Sequence, residues 1–398
     1  MTDPDFIRQT LDDLKAQGLR RRLLEIGSAA GPRARIGDRT VLAFASNNYL
    51  GLANDPRVRE AARRAIDRWG WGAGASRLLG GHTEAHAALE ADLADFKHAE
   101  AAIVFPTGYM ANLGLISALA GRGDLVLSDR ENHASLYDAV RLSGARPLRY
   151  PHGDAAAAQD LLAKHRDAPG RRLLVTDTVF SMSGDLAPLA DVAPACRKHG
   201  CMLVLDEAHA TGVLGPTGAG LAEALGIRDG ASASVGTLSK ALGGVGGFVA
   251  ASRDVCDLLV NRARSFIYTT ALPAAACEAA REALRIVRAE PERRERLLGL
   301  TRHARDALHA KGFDTGPSAS HIIPIIVGTP ERALAMAAAL MDRGIFCPAI
   351  RPPTVPPGTS RLRISLTWEH TEEDIARLVE ALVEARDNAK HASAAADG

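Results

Sequence analysis

The chain has 398 residues, 46% of them hydrophobic and 24% charged, enough to bury one large core or a large and a small one. Its 48 Lys and Arg nearly cancel 47 Asp and Glu, and a net charge of +1 leaves no overall electrostatic footprint for DNA or RNA. Five cysteines, at 196, 201, 256, 277 and 347, are odd in number and include no Cys-x-x-Cys pair, which argues against a disulfide framework and for inert thiols in a reducing cytoplasm.

In chain order, MTDPDFIRQ carries early acids and no apolar core, so no signal peptide is read there. Residues 5–24 have helical periodicity ending in an RRR cluster at 20–22, and a short strand follows over Val41–Phe44. Helices are expected over 56–69 and 84–97. From residue 101 the apolar runs IVF, LVLS, PLRY, LLVTDTVF, MLVLDEA and ASASVGT alternate with Ala- and Leu-rich helical segments, which predicts a mostly parallel sheet covered on both faces. Residues 101–121 are uncharged over the length of a membrane span, but Pro106, Thr107, Asn112 and three glycines fit a buried strand, a turn and a helix, so no membrane is implied. Long helices broken near Pro291 fill 272–312. Strands near 322–327 and 361–366 and helices near 330–343 and 371–387 then read as a smaller C-terminal α+β domain. The expected organisation is an N-terminal helical segment over 1–45, a large domain over 46–290, a small domain over 291–390 and a disordered tail over 391–398, HASAAADG.

The stretch LDEAHATG, 205–212, contains DEAH, which in some helicases holds a magnesium ion beside ATP. A nucleotide motor also needs G-x-x-x-x-G-K-[ST], and no Gly-Lys dipeptide exists in the sequence, so neither a nucleic-acid partner nor a metal is assigned. Gly70–Ala75 matches G-x-G-x-x-A, but it follows a helical segment where the dinucleotide fingerprint should follow a strand. No G-x-S-x-G elbow is present. What remains is Asp206, which ends the apolar run CMLVLD at the carboxyl edge of a buried parallel strand, and His209 three residues on. The next strand, Ala233–Thr237, leads into LSKALGG with Lys240, one of only seven lysines. A lysine among small residues at a strand end can be desolvated into a Schiff-base nucleophile. Alone, Asp206 could simply cap a turn; with Lys240 it suits pyridoxal 5'-phosphate, the acid keeping the pyridine nitrogen protonated while the amine holds the aldehyde. FPTGYM, 105–110, places Gly108 and Tyr109 between a strand and a helix, where amides can face a phosphate, although a Thr-Gly pair also makes a plain turn. Thr237 and Ser239 add hydroxyls. Glu207 and Ala208 read as the turn that spaces Asp206 from His209.

These residues carry a family resemblance over nearly the whole chain. SNNYLGL (46–52), GAGASRLLGG (72–81), FPTGYMAN (105–112), NHASLYD (132–138), FSMSGDLAPL (180–189), LDEAHATG (205–212), GTLSKALGGVGG (236–247) and IYTTALP (267–273) resemble, in order, the α-oxoamine synthases, fold-type I pyridoxal-phosphate enzymes. The resemblance implies a large domain on a mostly parallel seven-stranded sheet, a small C-terminal α+β domain, and decarboxylative condensation of an amino acid with an acyl thioester. AIRPPTVP, 349–356, resembles the member that joins L-alanine to pimeloyl-CoA or a pimeloyl carrier protein to make a biotin precursor. The alternative is the member that joins glycine to acetyl-CoA. By the same resemblance, Lys240 holds the cofactor and then acts as base, Asp206 pairs with the pyridinium, and His209 meets the phenolic oxygen. His133 would stack on the ring, its alternative being a helix cap after Asn132. Ser181 and Thr237 would hydrogen-bond the cofactor, with Gly108 and Tyr109 at its phosphate. Thr269 and Thr270 would reach the phosphate of a partner subunit, implying a homodimer. Arg363 and Asn47 would hold the amino-acid carboxylate, and Arg20 and Thr354 would meet substrate.

Overall fold

The computed structural model of the chain describes residues 3–227 and 230–396. The first helix, α1 (Asp3–Ala16), stops well short of the expected 24. Gly18 takes a left-handed φ of 65°, and the N–H groups of Leu19 and Arg20 both turn back to the Leu14 carbonyl, so the arginine cluster lies beyond the helix. A hairpin of β1 (Arg33–Ile36) and β2 (Arg39–Ala43) follows. Helix α2 (Pro56–Trp69) begins as its sequence dictates: Asp55 accepts the Arg57 N–H, Pro56 needs no donor at the first position, and Gly70 ends it. After α3 (Glu84–Phe96), strands and helices alternate through β3 (Ala101–Phe105), α4 (Gly108–Leu119), β4 (Leu125–Asp129), α5 (Ala134–Ser143), β5 (Arg146–Tyr150), α6 (Ala155–Lys164), β6 (Arg172–Asp177), α7 (Leu189–Lys198) and β7 (Met202–Asp206). The stretch read as a membrane-length apolar run is thus β3, a turn and α4, and among the described residues no helix is long and apolar enough to cross a membrane.

The series continues with α8 (Leu221–Ala224), β8 (Ala233–Thr237), β9 (Gly247–Ala251), α9 (Arg253–Arg262), α10 (Arg264–Ile267), α11 (Ala274–Ala289), α12 (Glu292–Ala310), β10 (Ile322–Gly328), α13 (Pro330–Asp342), β11 (Ile345–Phe346), β12 (Ala349–Ile350), β13 (Ser360–Ser365) and α14 (Glu372–Ala396). Helix α14 runs through most of the segment read as a disordered tail; residues 397 and 398 of that segment lie outside the described residues.

Two compact units result: Asn48–Ser181 with Asp185–Arg296, and Met1–Asn47 with Met182–Gly184 and Leu297–Gly398. The first is built on a seven-stranded sheet of order β3-β9-β8-β7-β6-β4-β5. Its neighbours from β8 to β5 are parallel, and β9 alone runs against both of its neighbours. Apolar side chains of the central strands and of α4, α5 and α9 form a continuous core beneath it. The chain crosses from β5, on the outer side of β4, to β6 on the inner side, the kind of reversal beside which α/β sheets bind ligands at the carboxyl ends of strands. The second unit holds the antiparallel sheet β10-β13-β12 with α13, and the sheet β1-β2-β11, in which β11 runs parallel to β2.

Candidate active site

In the larger unit two carboxylates end adjacent strands, because Asp177 of β6 and Asp206 of β7 are register partners. Both are buried. Asp206 accepts the Asn112 side-chain amide at 2.6 Å and the Ala208 N–H at 2.9 Å. Asp177 accepts the His133 backbone N–H at 2.7 Å. Burial first, and the charge of Asp206 second, push the Asp177 carboxyl well above its ordinary range.

His133 is the helix cap that its sequence allowed, and it also stands at a cavity. Its Nδ1 caps α5 by accepting the Ser135 N–H at 3.2 Å, and it also lines a cavity of about 240 Å³ together with Asp206 and Lys240. Ser135 Oγ lies 2.8 Å from the same nitrogen and accepts from Asn112 Nδ2 at 2.9 Å, so one polar chain links His133 through Ser135 and Asn112 to Asp206. Burial lowers the His133 pKa below the ordinary imidazole value, which favours a neutral ring at pH 7.

The turn after β8 delivers Lys240. Thr237 Oγ1 donates to the Gly246 carbonyl at 2.9 Å, accepts the Ser239 N–H at 3.2 Å, and lies 2.7 Å from the Ser239 hydroxyl. Gly243, at φ 67°, closes this turn directly against the backbone of Leu52 and Ala53, where any Cβ would collide. Beside this turn is the start of α4, where Thr107 accepts the Met110 N–H at 3.1 Å, Gly108 packs next to the Thr237 side chain, and Gly108 and Tyr109 line the cavity. The first N–H groups of a helix have no partner within it, so this end suits an anion. The Tyr109 hydroxyl donates to Asp138, and that bond raises the phenol's pKa.

Ser181 lines the same cavity at the start of a loop whose return is gripped by His152. The His152 ring lies between Asp129, at 3.0 Å, and Asp185, at 2.9 Å, and stands edge-on to Phe180 at 4.4 Å. Burial pulls this imidazole down, but the two carboxylates outweigh it and raise it to about 10, so His152 is a cation at neutral pH. His209 also lines the cavity, with Nδ1 2.7 Å from the hydroxyl of Tyr49.

The larger unit therefore brings together eight of the sequence-predicted positions: Gly108, Tyr109, His133, Ser181, Asp206, His209, Thr237 and Lys240. Thr269 and Thr270 do not line this cavity in their own chain. Thr270 instead pairs with Ser76 as an isolated bridge, and the Ala271 N–H reaches the Ala75 carbonyl at 3.0 Å. In the smaller unit Arg363, buried on β13, directs Nη1 and Nη2 to the Asn47 side-chain oxygen, each at 3.3 Å. Thr354 is exposed, and its hydroxyl accepts from Arg21 Nη2 at 3.2 Å; Arg20 is exposed beside it in sequence. Arg351 donates to the Gly18 carbonyl, so the AIRPPTVP stretch is tied twice to the segment that follows α1.

Sequence reasoning missed Asp177, Asn112 and Tyr49. Asp177 had a signal, since it ends LLVTD as Asp206 ends MLVLD. The other two sit inside quoted motifs with nothing in their own residue type to mark them. Glu207, read as turn, is almost fully buried. It accepts from Lys97, from the Ala222 N–H at 2.9 Å and from Ser234 Oγ at 3.2 Å.

The chain matches the family of class I and II aminotransferases over residues 39–382. It is 51% identical to an 8-amino-7-oxononanoate synthase of Anaeromyxobacter dehalogenans over 378 residues, 95% of this chain and 94% of the relative. Among solved structures it is similar to a serine palmitoyltransferase from S. paucimobilis with PLP-myriocin bound, at TM-score 0.91 and 34% identity, covering 96% of each chain. It is also similar to the 8-amino-7-oxononanoate synthase of Francisella tularensis, at TM-score 0.77 and 28% identity, covering 88% of this chain and 99% of that one.

Proposed function

Because the chain belongs to the class I and II aminotransferase family and, within it, to the 8-amino-7-oxononanoate synthases, we propose that it condenses L-alanine with a pimeloyl thioester, using pyridoxal 5'-phosphate, and releases carbon dioxide and the free thiol. The observation that carries this reading is the convergence of Asp206, His133 and Lys240 on one cavity that the N-terminus of α4 also lines. The cavity also fits the cofactor in a detail: among the described residues the Asn112 side-chain oxygen is buried without a hydrogen-bond partner, beside an amide nitrogen already committed to Asp206 and Ser135.

When bound, the cofactor supplies a protonated pyridine ring that takes up the electron pair left at the alanine Cα by loss of a proton or of carbon dioxide. Asp206, fixed by Asn112 and Ala208, holds a negative charge for the ring nitrogen. Lys240 holds the cofactor, then removes the proton at Cα and returns one there after decarboxylation. A neutral His133 offers an apolar ring face for stacking and a polar edge for the acyl carbonyl. Gly108, Tyr109 and Thr237 would hold the phosphate, Ser181 would hydrogen-bond the cofactor, and His209 would meet its phenolic oxygen. Arg363 and Asn47 hold the alanine carboxylate, a pairing suited to the planar guanidinium. Arg20 and Thr354 meet the pimeloyl end of the acyl substrate.

We assign a homodimer, with Thr269 and Thr270 of each chain completing the partner's phosphate site. Trp71, Leu78, Leu79 and Tyr268, close in sequence to the Ser76–Thr270 bridge, are exposed, which offers apolar side chains to a second copy. All five cysteines are buried free thiols, in keeping with a cytoplasmic enzyme. Thiol release is expected with alanine and pimeloyl-CoA and not with glycine and acetyl-CoA. One methyl group discriminates by about 1–3 kcal/mol, so glycine with pimeloyl-CoA should retain a rate lower by about 10- to 200-fold. Turnover with glycine and acetyl-CoA alone overturns the assignment.

A further inference from the structure

The SNNYLGL segment contributes more to the site than a substrate-binding asparagine. Tyr49 is fully buried, and its hydroxyl lies 2.7 Å from His209 Nδ1, with the two rings tilted at 48°. The backbone around it is held on three sides. Arg293 Nη1 donates to the Leu50 carbonyl at 2.9 Å, and Asn48 Oδ1 accepts the Ala53 N–H at 3.0 Å. Leu52 and Ala53 lie against Gly243 of the Lys240 turn, and Gly212, just after His209, has room for no Cβ, which would come within 2.8 Å of the Ala241 side chain. The turns bearing His209 and Lys240 and the segment bearing Tyr49 are therefore packed as one block.

From this geometry we propose that Tyr49 is a positioning residue for His209: its hydroxyl donates to Nδ1, fixing the imidazole's orientation and the tautomer with hydrogen on Nε2, which would face the cofactor's phenolic oxygen as a donor. The inference rests on the cofactor reading above. An imidazole held through one nitrogen has its remaining donor set by that bond. A hydrogen on Nε2 stabilises the anionic form of the phenolic oxygen, and so it sets the pH at which the bound cofactor changes colour. The titratable groups that share the cavity with His209 are Tyr109, His133, Asp177, Asp206 and Lys240, all left in place by a change at Tyr49.

The test uses the holoenzyme and its Y49F, H209N and Y49F/H209N variants. Replacing the phenol by a benzene ring removes one hydrogen bond and no packing volume. The visible absorbance of Y49F should titrate with its midpoint moved by about one pH unit, and kcat should fall about 10-fold with KM for alanine within about twofold. In the H209N background the same change should alter midpoint and kcat by less than about twofold, because a residue acting through His209 has nothing left to act on. An unshifted Y49F midpoint overturns the proposal. So does an equal loss in both backgrounds, or a Y49F protein that unfolds, either of which makes Tyr49 a packing residue. A wild-type protein with no cofactor absorbance overturns the cofactor reading instead, and this proposal with it.

Discussion

Lys240→Ala protein purified with pyridoxal phosphate is expected to lack the borohydride-bleachable absorbance band and to lose turnover by at least about 10⁴-fold. The two roles given to this one amine, holding the cofactor and moving the Cα proton, explain the size of the loss. A positioned general base alone contributes about 10²–10⁴-fold, and no second group on the cavity wall combines an aliphatic amine with that location. The loss should not arise from unfolding. Lys240 is partly exposed, the buried contacts of its turn belong to Leu238, Ala241 and Leu242, and Gly243 continues to seat against Leu52 and Ala53. Truncating Lys240 removes no fully buried packing, so its cost in stability should be small beside the loss of activity. Near-wild-type melting together with a missing band is therefore the expected pair of observations, and a coloured, active variant contradicts the assignment of Lys240.

The second large effect falls on stability and on a neighbour of the chemistry. Glu207→Ala is expected to destabilise the protein by about 3 kcal/mol or more, read as a lower denaturant midpoint, because it strands the Lys97 ammonium in a buried site. The side chains of Lys97 and Glu207 are 3% and 2% exposed, and Lys97 also donates to the Ala219 carbonyl. Two further donors, Ala222 N–H and Ser234 Oγ, lose their acceptor at the same time. Replacing the pair together, as Lys97→Met with Glu207→Leu, should recover much of the loss, since an apolar pair carries no desolvation cost. A single Glu207→Ala variant within about 1 kcal/mol of wild type shows that the ion pair does not hold this turn. Within DEAH, then, the first and last letters face the cavity and the second anchors the turn from behind.

The contrast between legible and illegible elements has physical causes. Helix α2 could be placed to the residue because Asp55, Pro56 and Gly70 punctuate it. The central parallel strands β4, β6 and β7 announced themselves as short apolar runs that are buried almost throughout, while the edge strand β5 is largely exposed. Strand β9, GFVAA, did not announce itself, because it leaves a glycine-rich turn; its antiparallel pairing to β3 and β8 is a tertiary fact. The end of α1 depended on Gly18 adopting φ 65°, which periodicity through the following arginines obscured. At the site, Asp206 and Lys240 were visible because each stood beside a motif that made sense of the other, whereas Asp177 ends its strand in the same way but had no such companion in the sequence. Tyr49 and Asn112 act by hydrogen-bonding other site residues, and such pairings across 160 and 94 positions leave no local mark. His152 was equally silent: its cationic state depends on Asp129 and Asp185, which meet it only once the sheet is assembled.

The central claim is a condensation in which alanine loses its carboxyl group as the acyl chain leaves its thiol. Holoenzyme given carboxyl-labelled L-alanine and pimeloyl-CoA tests it most directly, with labelled carbon dioxide, free CoA and amino-ketone product measured together. The account predicts equal amounts of all three, and no labelled carbon dioxide when the thioester is withheld. Free CoA released without labelled carbon dioxide, or product that retains the label, would contradict it.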